Sequence, residues 1–246
     1  MTLEKELART GHFLFRWRGF LPILLTLPML AAMQGFKGSH PLHVPHEGWA
    51  IFSMAISFCG LGIRMGTVGF APAGTSGRNT RWQRAAVLNT TGMYSIVRHP
   101  LYLGNAIIWL GVSMFCQTWW LTVIFVLVYW IYYERIMMAE EDFLREEFGD
   151  AHLDWASRTP AFIPALRQWR RPDLPFSLRT VLRREYSGFF AIVACFFILE
   201  STRHVVVYGQ LVFKPHWAVL FLAGLLVYAT LRTLKKRTRL LVVKGR

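Results

Sequence analysis

The chain has 246 residues and a formal net charge of +14 at pH 7, with 54% hydrophobic residues, 15% aromatics and a mean hydropathy of +0.33. That apolar content exceeds what a soluble domain carries and places the chain with membrane proteins. Nor does the charge mark a nucleic-acid binder, because no basic stripe is interleaved with base-stacking aromatics on a soluble module.

In chain order, six apolar runs approach the roughly 20 residues that cross a bilayer as a helix: about 19–36, 48–70, 101–117, 118–137, 188–208 and 213–233. The first, GFLPILLTLPMLAAMQGF, lacks a small-residue cleavage site and reads as a retained span. The third and fourth are separated only by Cys116-Gln117-Thr118, which predicts a tight antiparallel hairpin. Each spanning segment must satisfy its own backbone in lipid, so the expected fold is all-α, a multi-span transmembrane bundle of about six helices.

Charge orients that bundle. Of the 28 Lys and Arg residues, 24 flank one set of span ends; only Lys37, Arg203 and Lys214 fall near the other, and Arg64 lies within a span. The positive-inside rule then places both termini and both long loops in the cytoplasm, where the basic residues also attract anionic headgroups.

Polar exceptions come next. His40, His43 and His46 form an HxxHxxH series, but Pro41 and Pro45 exclude one regular helix, and beyond Glu47 nothing local completes a shell, so no metal site is expected. The cysteines, Cys59, Cys116 and Cys195, show no CxxC spacing and read as small apolar fillers. Arg64 and Glu200 are ionisable groups inside spans, expected either to pair with each other or to line a substrate cavity. Loop 71–91 carries Gly74, Ser76, Gly77, Arg78, Asn79 and Thr80, small and hydrogen-bonding residues. They are of the kind that wrap a phosphate, or that make up an ordinary polar loop; Arg78 and Asn79 are candidates for reading a lipid headgroup.

The stretch YSIVRHPLYLGN opens the third run. Pro100 disfavours helical geometry at His99 and suits the first helical position itself, so Arg98 and His99 lie on an extended approach. A helix N-terminus favours an anion, and Arg98 adds a forked donor. Gly104 removes a side chain where something approaches closely, and Tyr102 and Asn105 add polar contacts. Downstream, eight of fourteen acidic residues fall between Glu134 and Asp154. Glu141 shares a helical stripe with Met137, Leu144 and Phe148, so its carboxylate either edges a core or reaches for a cation. An anion cradle facing the carboxylates of Glu140 and Glu141 would match a ligand bearing carboxylate, ammonium and sulfonium groups, such as S-adenosylmethionine.

Taken together, GMYSIVRHPLYLGN and EEDFLREEFGDAHLDWASRTPAFIP resemble the isoprenylcysteine carboxyl methyltransferase and phospholipid methyltransferase group of integral-membrane enzymes. The resemblance runs from about Gly92 to Pro164. It implies a cofactor pocket shaped by Tyr94, Arg98, His99, Pro100, Tyr102 and Gly104, completed by Glu140 and Glu141, with the Arg158 to Pro164 tail closing over the adenosine end. Where relatives often carry tyrosines after Phe-Gly, this chain has His152 and Trp155, and two further spans follow.

The chain therefore divides into membrane spans and a loop over 1–91, a catalytic region over 92–165, and a basic linker with two spans over 166–246. The expected activity is methyl transfer from S-adenosylmethionine to the phosphate, amine or carboxylate of a lipid or lipidated substrate. The cofactor would enter from the cytosol and the acceptor from the bilayer. Arg98, His99 and Glu141 are the candidate catalytic residues. Arg158 joins the cofactor set, and Arg64 and Asn105 join Arg78 and Asn79 on the substrate side. An amine acceptor would need a base, and His99 or Glu141 is available. The alternatives are an NADPH-dependent membrane reductase of the sterol-reductase type and a non-catalytic membrane protein; oligomeric state is left open.

Overall fold

A computed structural model describes residues 3–17, 26–34, 46–72, 74–75 and 85–246. The described residues form helices α1 (Leu3–Trp17), α2 (Thr26–Met33), α3 (His46–Phe70), α4 (Pro100–Met114), α5 (Trp119–Phe148), α6 (Asp150–Arg158), α7 (Leu178–Tyr208) and α8 (Pro215–Arg237), and no strand. Four of them, α3, α5, α7 and α8, are long and apolar enough to cross a membrane. Helix α4 is apolar but has 15 residues, about 22 Å at 1.5 Å per residue, short of a roughly 30 Å hydrocarbon core. Of the expected first span only residues 26–34 are described, and His40, His43, Arg78 and Asn79 lie outside the described residues.

The element ends follow local chemistry. Pro100 and Pro215 stand at the first helical positions of α4 and α8, where the missing N–H is of no consequence. Ser177 caps α7 by accepting from the Thr180 amide, and Gly209 ends it in the left-handed conformation, φ 70°. Helix α5 breaks into α6 at Gly149, whose φ of 53° and ψ of −128° fall in a region reserved for glycine. The α4–α5 hairpin turns through Gln117, a non-glycine residue at φ 53°.

Helix α7 starts ten residues earlier than the apolar run, so part of the expected basic linker is helix. Its first turns put Thr180, Val181 and Glu185 inward while Arg179 is exposed and Arg183 and Arg184 are half-buried. Basic residues on the solvated face conceal such an extension from a hydropathy reading.

Helix α3 is central. Against α4 it packs backbone to backbone: a Cβ on Gly60 would stand 2.5 Å from the Gly104 carbonyl, and Ser57 donates to the Ile108 carbonyl at 2.9 Å. Small residues let membrane helices approach this closely. At the other end of the pair, Trp49 Nε1 donates to the Met114 carbonyl. Helix α7 runs antiparallel to α3, with Ser177 N bonded to Gly69 O at one end and Glu200 to His46 at the other. Amphipathic α1 lies along α5, Gly11 against the Arg135 carbonyl and Tyr132 donating to Leu14 O at 2.8 Å.

The two intramembrane charges do not pair with each other. Antiparallel packing sets them at opposite ends of the bundle. Arg64 meets Glu185, whereas Glu200 receives Arg203, His46 and Lys214.

Candidate active site

The extended approach before α4 is built as its sequence requires. Gly92–Ser95 forms a single 3-10 turn, and His99 has φ −118° and ψ 60°, outside helical space, before Pro100. The approach is roofed by the segment after α6. Arg98 N donates to Pro160 O at 2.9 Å, His99 N to Ala161 O at 3.2 Å, and Ala165 N to Ile96 O at 2.9 Å. Trp155 Nε1 donates to the Tyr94 carbonyl at 3.0 Å. The tail thus takes the amides of Arg98 and His99, leaving the Arg98 side chain, not those amides, as the cationic element of the cradle.

Opposite stands α5. Glu141 accepts from His99 Nε2 at 2.9 Å through one oxygen and pairs with Arg98 Nη1 at 3.2 Å through the other. Glu140 lies 3.7 Å from His99 Nδ1. Beneath the imidazole, Tyr102 stacks at 5.7 Å and leans on Tyr133, while Tyr129 donates to the Tyr102 carbonyl at 2.6 Å. His99 is 5% exposed and Tyr102 is 8% exposed, so the ring plane is fixed by packing. The four residues expected to form the two halves of the site, Arg98, His99, Glu140 and Glu141, are brought together.

Three buried side-chain nitrogens here have no hydrogen-bond partner: Arg98 Nε and both ring nitrogens of His152. A buried polar group left unmet costs about 1–3 kcal/mol. His152 lies on α6, and its pKa is lowered from the ordinary imidazole value. Burial is the main cause. Glu141 opposes it, and Arg98, Arg145 and His99 act in the same direction as burial.

Other expected residues sit elsewhere. A Cβ on Gly104 would meet Arg64 Cγ at 2.5 Å and Gly60 O at 2.8 Å; the close approach it permits is that of α3, not of a ligand. Arg158 points to solvent and pairs with Asp154 at 2.6 Å, one helical turn away. Arg64 and Asn105 do meet, Nη1 to Oδ1 at 2.8 Å, and Arg64 makes a bidentate pair with Glu185, Nε to Oε2 at 2.9 Å and Nη2 to Oε1 at 2.8 Å. Sequence reasoning missed Glu185. The available signal was a lone acid among Arg179, Arg183 and Arg184 at the start of an apolar run.

Residues 52–151 match the phospholipid methyltransferase family. A nickel-cobalt-cadmium resistance protein, NccN, of Alcaligenes xylosoxydans xylosoxydans is 31% identical over 166 residues, 65% of this chain and 68% of that protein. The chain belongs to the phospholipid and isoprenylcysteine methyltransferase group. The cobalt-zinc-cadmium resistance protein CzcN of Cupriavidus metallidurans is 28% identical over 163 residues, again 65% and 68% of the two chains. Over 80 residues, the protein-S-isoprenylcysteine O-methyltransferase of Schizosaccharomyces pombe is 35% identical, covering 32% of this chain and 34% of that enzyme. No solved structure matches. A membrane methyltransferase, not a reductase or a non-catalytic scaffold, is what the membership supports. The family match spans α3 through the start of α6 and leaves α7, with Glu185, beyond it.

Proposed function

We propose that the protein transfers a methyl group from S-adenosylmethionine to the polar head of a lipid or lipidated substrate at the cytoplasmic membrane face, with both termini on that side. The observation that carries this reading is the opposition of Arg98 and His99 to Glu140 and Glu141, with unmet buried nitrogens on Arg98 and His152 beside them. That donor set fits the cofactor's amino-acid end: Arg98 toward its carboxylate, and Glu140 and Glu141 toward its ammonium. When bound, the cofactor supplies an electrophilic methyl group on sulfonium.

The chain's own residues orient and exclude. Methyl transfer is an in-line displacement that gains most from alignment and from the removal of water. The Pro160–Ala165 strap covers the approach from the cytosol, and the stack of Tyr102 on His99 fixes the cradle floor. Arg64, held by Glu185 and donating to Asn105, would with Asn105 face the acceptor head arriving from the bilayer. A phosphate or carboxylate acceptor is already ionised. For an amine, His99 and Glu141 remain the bases within the cradle.

Two relatives are named for metal resistance. Among the described residues no group of His, Cys, Asp and Glu is arranged to hold a metal ion. The test is thermal unfolding of the purified protein with S-adenosylhomocysteine or with NADPH. Stabilisation by the first ligand alone is expected by linkage, and stabilisation by neither would remove the reading.

A further inference from the structure

His152 has an environment that packing alone does not account for. It is 1% exposed, yet neither Nδ1 nor Nε2 meets a hydrogen-bond partner. Its ring is held edge-on to Trp155 at 5.8 Å, and Trp155 is anchored to the Tyr94 carbonyl at 3.0 Å. Its backbone is fixed by the bond from His152 N to Gly149 O, 3.1 Å. A phenyl ring of similar size would fill the same space without burying two polar atoms.

The surrounding groups narrow what an imidazole can do there. The titratable and charged neighbours that it senses are Glu141, Arg98, Arg145 and His99; burial and the last three lower its pKa against the opposing pull of Glu141, which favours the neutral ring at pH 7. A neutral imidazole offers one N–H donor and one acceptor lone pair. In this cradle Arg98 and the Glu141 carboxylate carry formal charge. His152 supplies the complementary pair without charge, suited to a hydroxyl or to an amino group beside a ring nitrogen. Helix α6 follows the end of α5 and is tied to the approach segment, on the side from which a water-soluble cofactor arrives.

We propose that His152 is a ligand-contacting residue whose ring hydrogen-bonds an uncharged donor–acceptor group on the nucleoside part of the bound methyl donor. This rests on the methyl-donor reading above. Arg98 Nε, unmet nearby, is satisfied in the same bound state.

The experiment is calorimetric titration of S-adenosylhomocysteine, and separately of adenosine, into the full-length protein in nanodiscs. Wild type, His152→Phe, His152→Gln and His152→Asn are compared, and the ligand-free melting temperature of each is recorded. His152→Phe should melt at or above the wild-type temperature and lose about tenfold in affinity for both ligands. At least one of the two amide variants should recover to within about threefold of wild type, because Gln mimics Nε2 and Asn mimics Nδ1. If wild type binds and His152→Phe binds equally well, His152 is a packing residue and the inference falls while the methyl-donor reading stands. Equal loss in all three variants likewise overturns it, since hydrogen bonding would then not be the property that matters. If wild type binds neither ligand, both readings fall together.

Discussion

The two ends of the bundle each gather histidines, carboxylates and arginines, and they differ in how the central carboxylate is held. At the far end, Glu200 receives His46 at 2.9 Å, Arg203 at 2.8 and 3.1 Å and Lys214 at 3.1 Å, and Lys214 continues to Glu47 at 3.3 Å. Those contacts tie the start of α3, the end of α7 and the start of α8 into one knot. At the end that holds the candidate site, Glu141 receives His99 and Arg98, while Arg98 Nε and both His152 ring nitrogens make no hydrogen bond. A buried carboxylate met from three helices fastens them. Buried nitrogens without a hydrogen bond occur at both ends, His204 Nε2 and Trp217 Nε1 at the far one, so the contrast lies in the carboxylates. Glu200 ties three helices together, whereas among the described residues Glu141 meets only the approach to α4.

The largest effect should come from breaking the Glu200 knot. Glu200→Ala leaves Arg203 and Lys214 without their buried anion and should lower stability by about 3–5 kcal/mol, measured by unfolding in detergent. Affinity for S-adenosylhomocysteine should change by less than about twofold, because perturbations at distant sites without shared partners stay independent. Glu141→Gln at the site end should invert that pattern. Methyl transfer should fall about 100-fold, equivalent to about 2.7 kcal/mol, in a protein that still folds. A Glu200→Ala variant with impaired binding, or a Glu141→Gln variant with intact turnover, would erase the contrast.

Smaller changes sharpen it. Trp155→Phe removes one hydrogen bond to Tyr94 and should cost about 1 kcal/mol, with only a slight loss of affinity. The gentlest probe is pH. Because the folded state lowers the His152 pKa, the unfolded chain takes up the proton more readily. Stability from this group is complete above the ordinary imidazole pKa, near 6.5, and declines as pH falls below it toward the lowered folded value. The stability of wild type and His152→Phe should therefore differ by a constant amount above about pH 7 and diverge on the acid side. Curves that stay parallel throughout would show the imidazole to be solvated.

Much of the fold was legible because lipid demands continuous apolar helices, which composition records directly. The start of α7 was not, since its first turns carry arginines and bury only Thr180, Val181 and Glu185. At the site, Arg98, His99 and Glu141 were legible because Pro100 fixes the approach and the α5 stripe fixes the carboxylate. The packing of Gly104 against α3 was not legible, because a glycine that admits a neighbouring helix and one that admits a ligand are identical in sequence. Glu200 meets Arg203 through a local i, i+3 contact, but the partner of Arg64 was out of reach: that it meets Glu185 depends on the antiparallel pairing of α3 and α7, which no local pattern encodes.

The strap over the approach has a consequence for the order in which the protein is made. The amides of Arg98 and His99 leave the ribosome about 60 residues before Pro160 and Ala161, whose carbonyls receive them. Helices α4, α5 and α6 must therefore be synthesised, and α5 threaded through the bilayer, before the approach segment acquires its partners. Until then it is an extended strand with open donors at the membrane surface. A chain that stalls after α5 would hold both charged halves of the site without its cover.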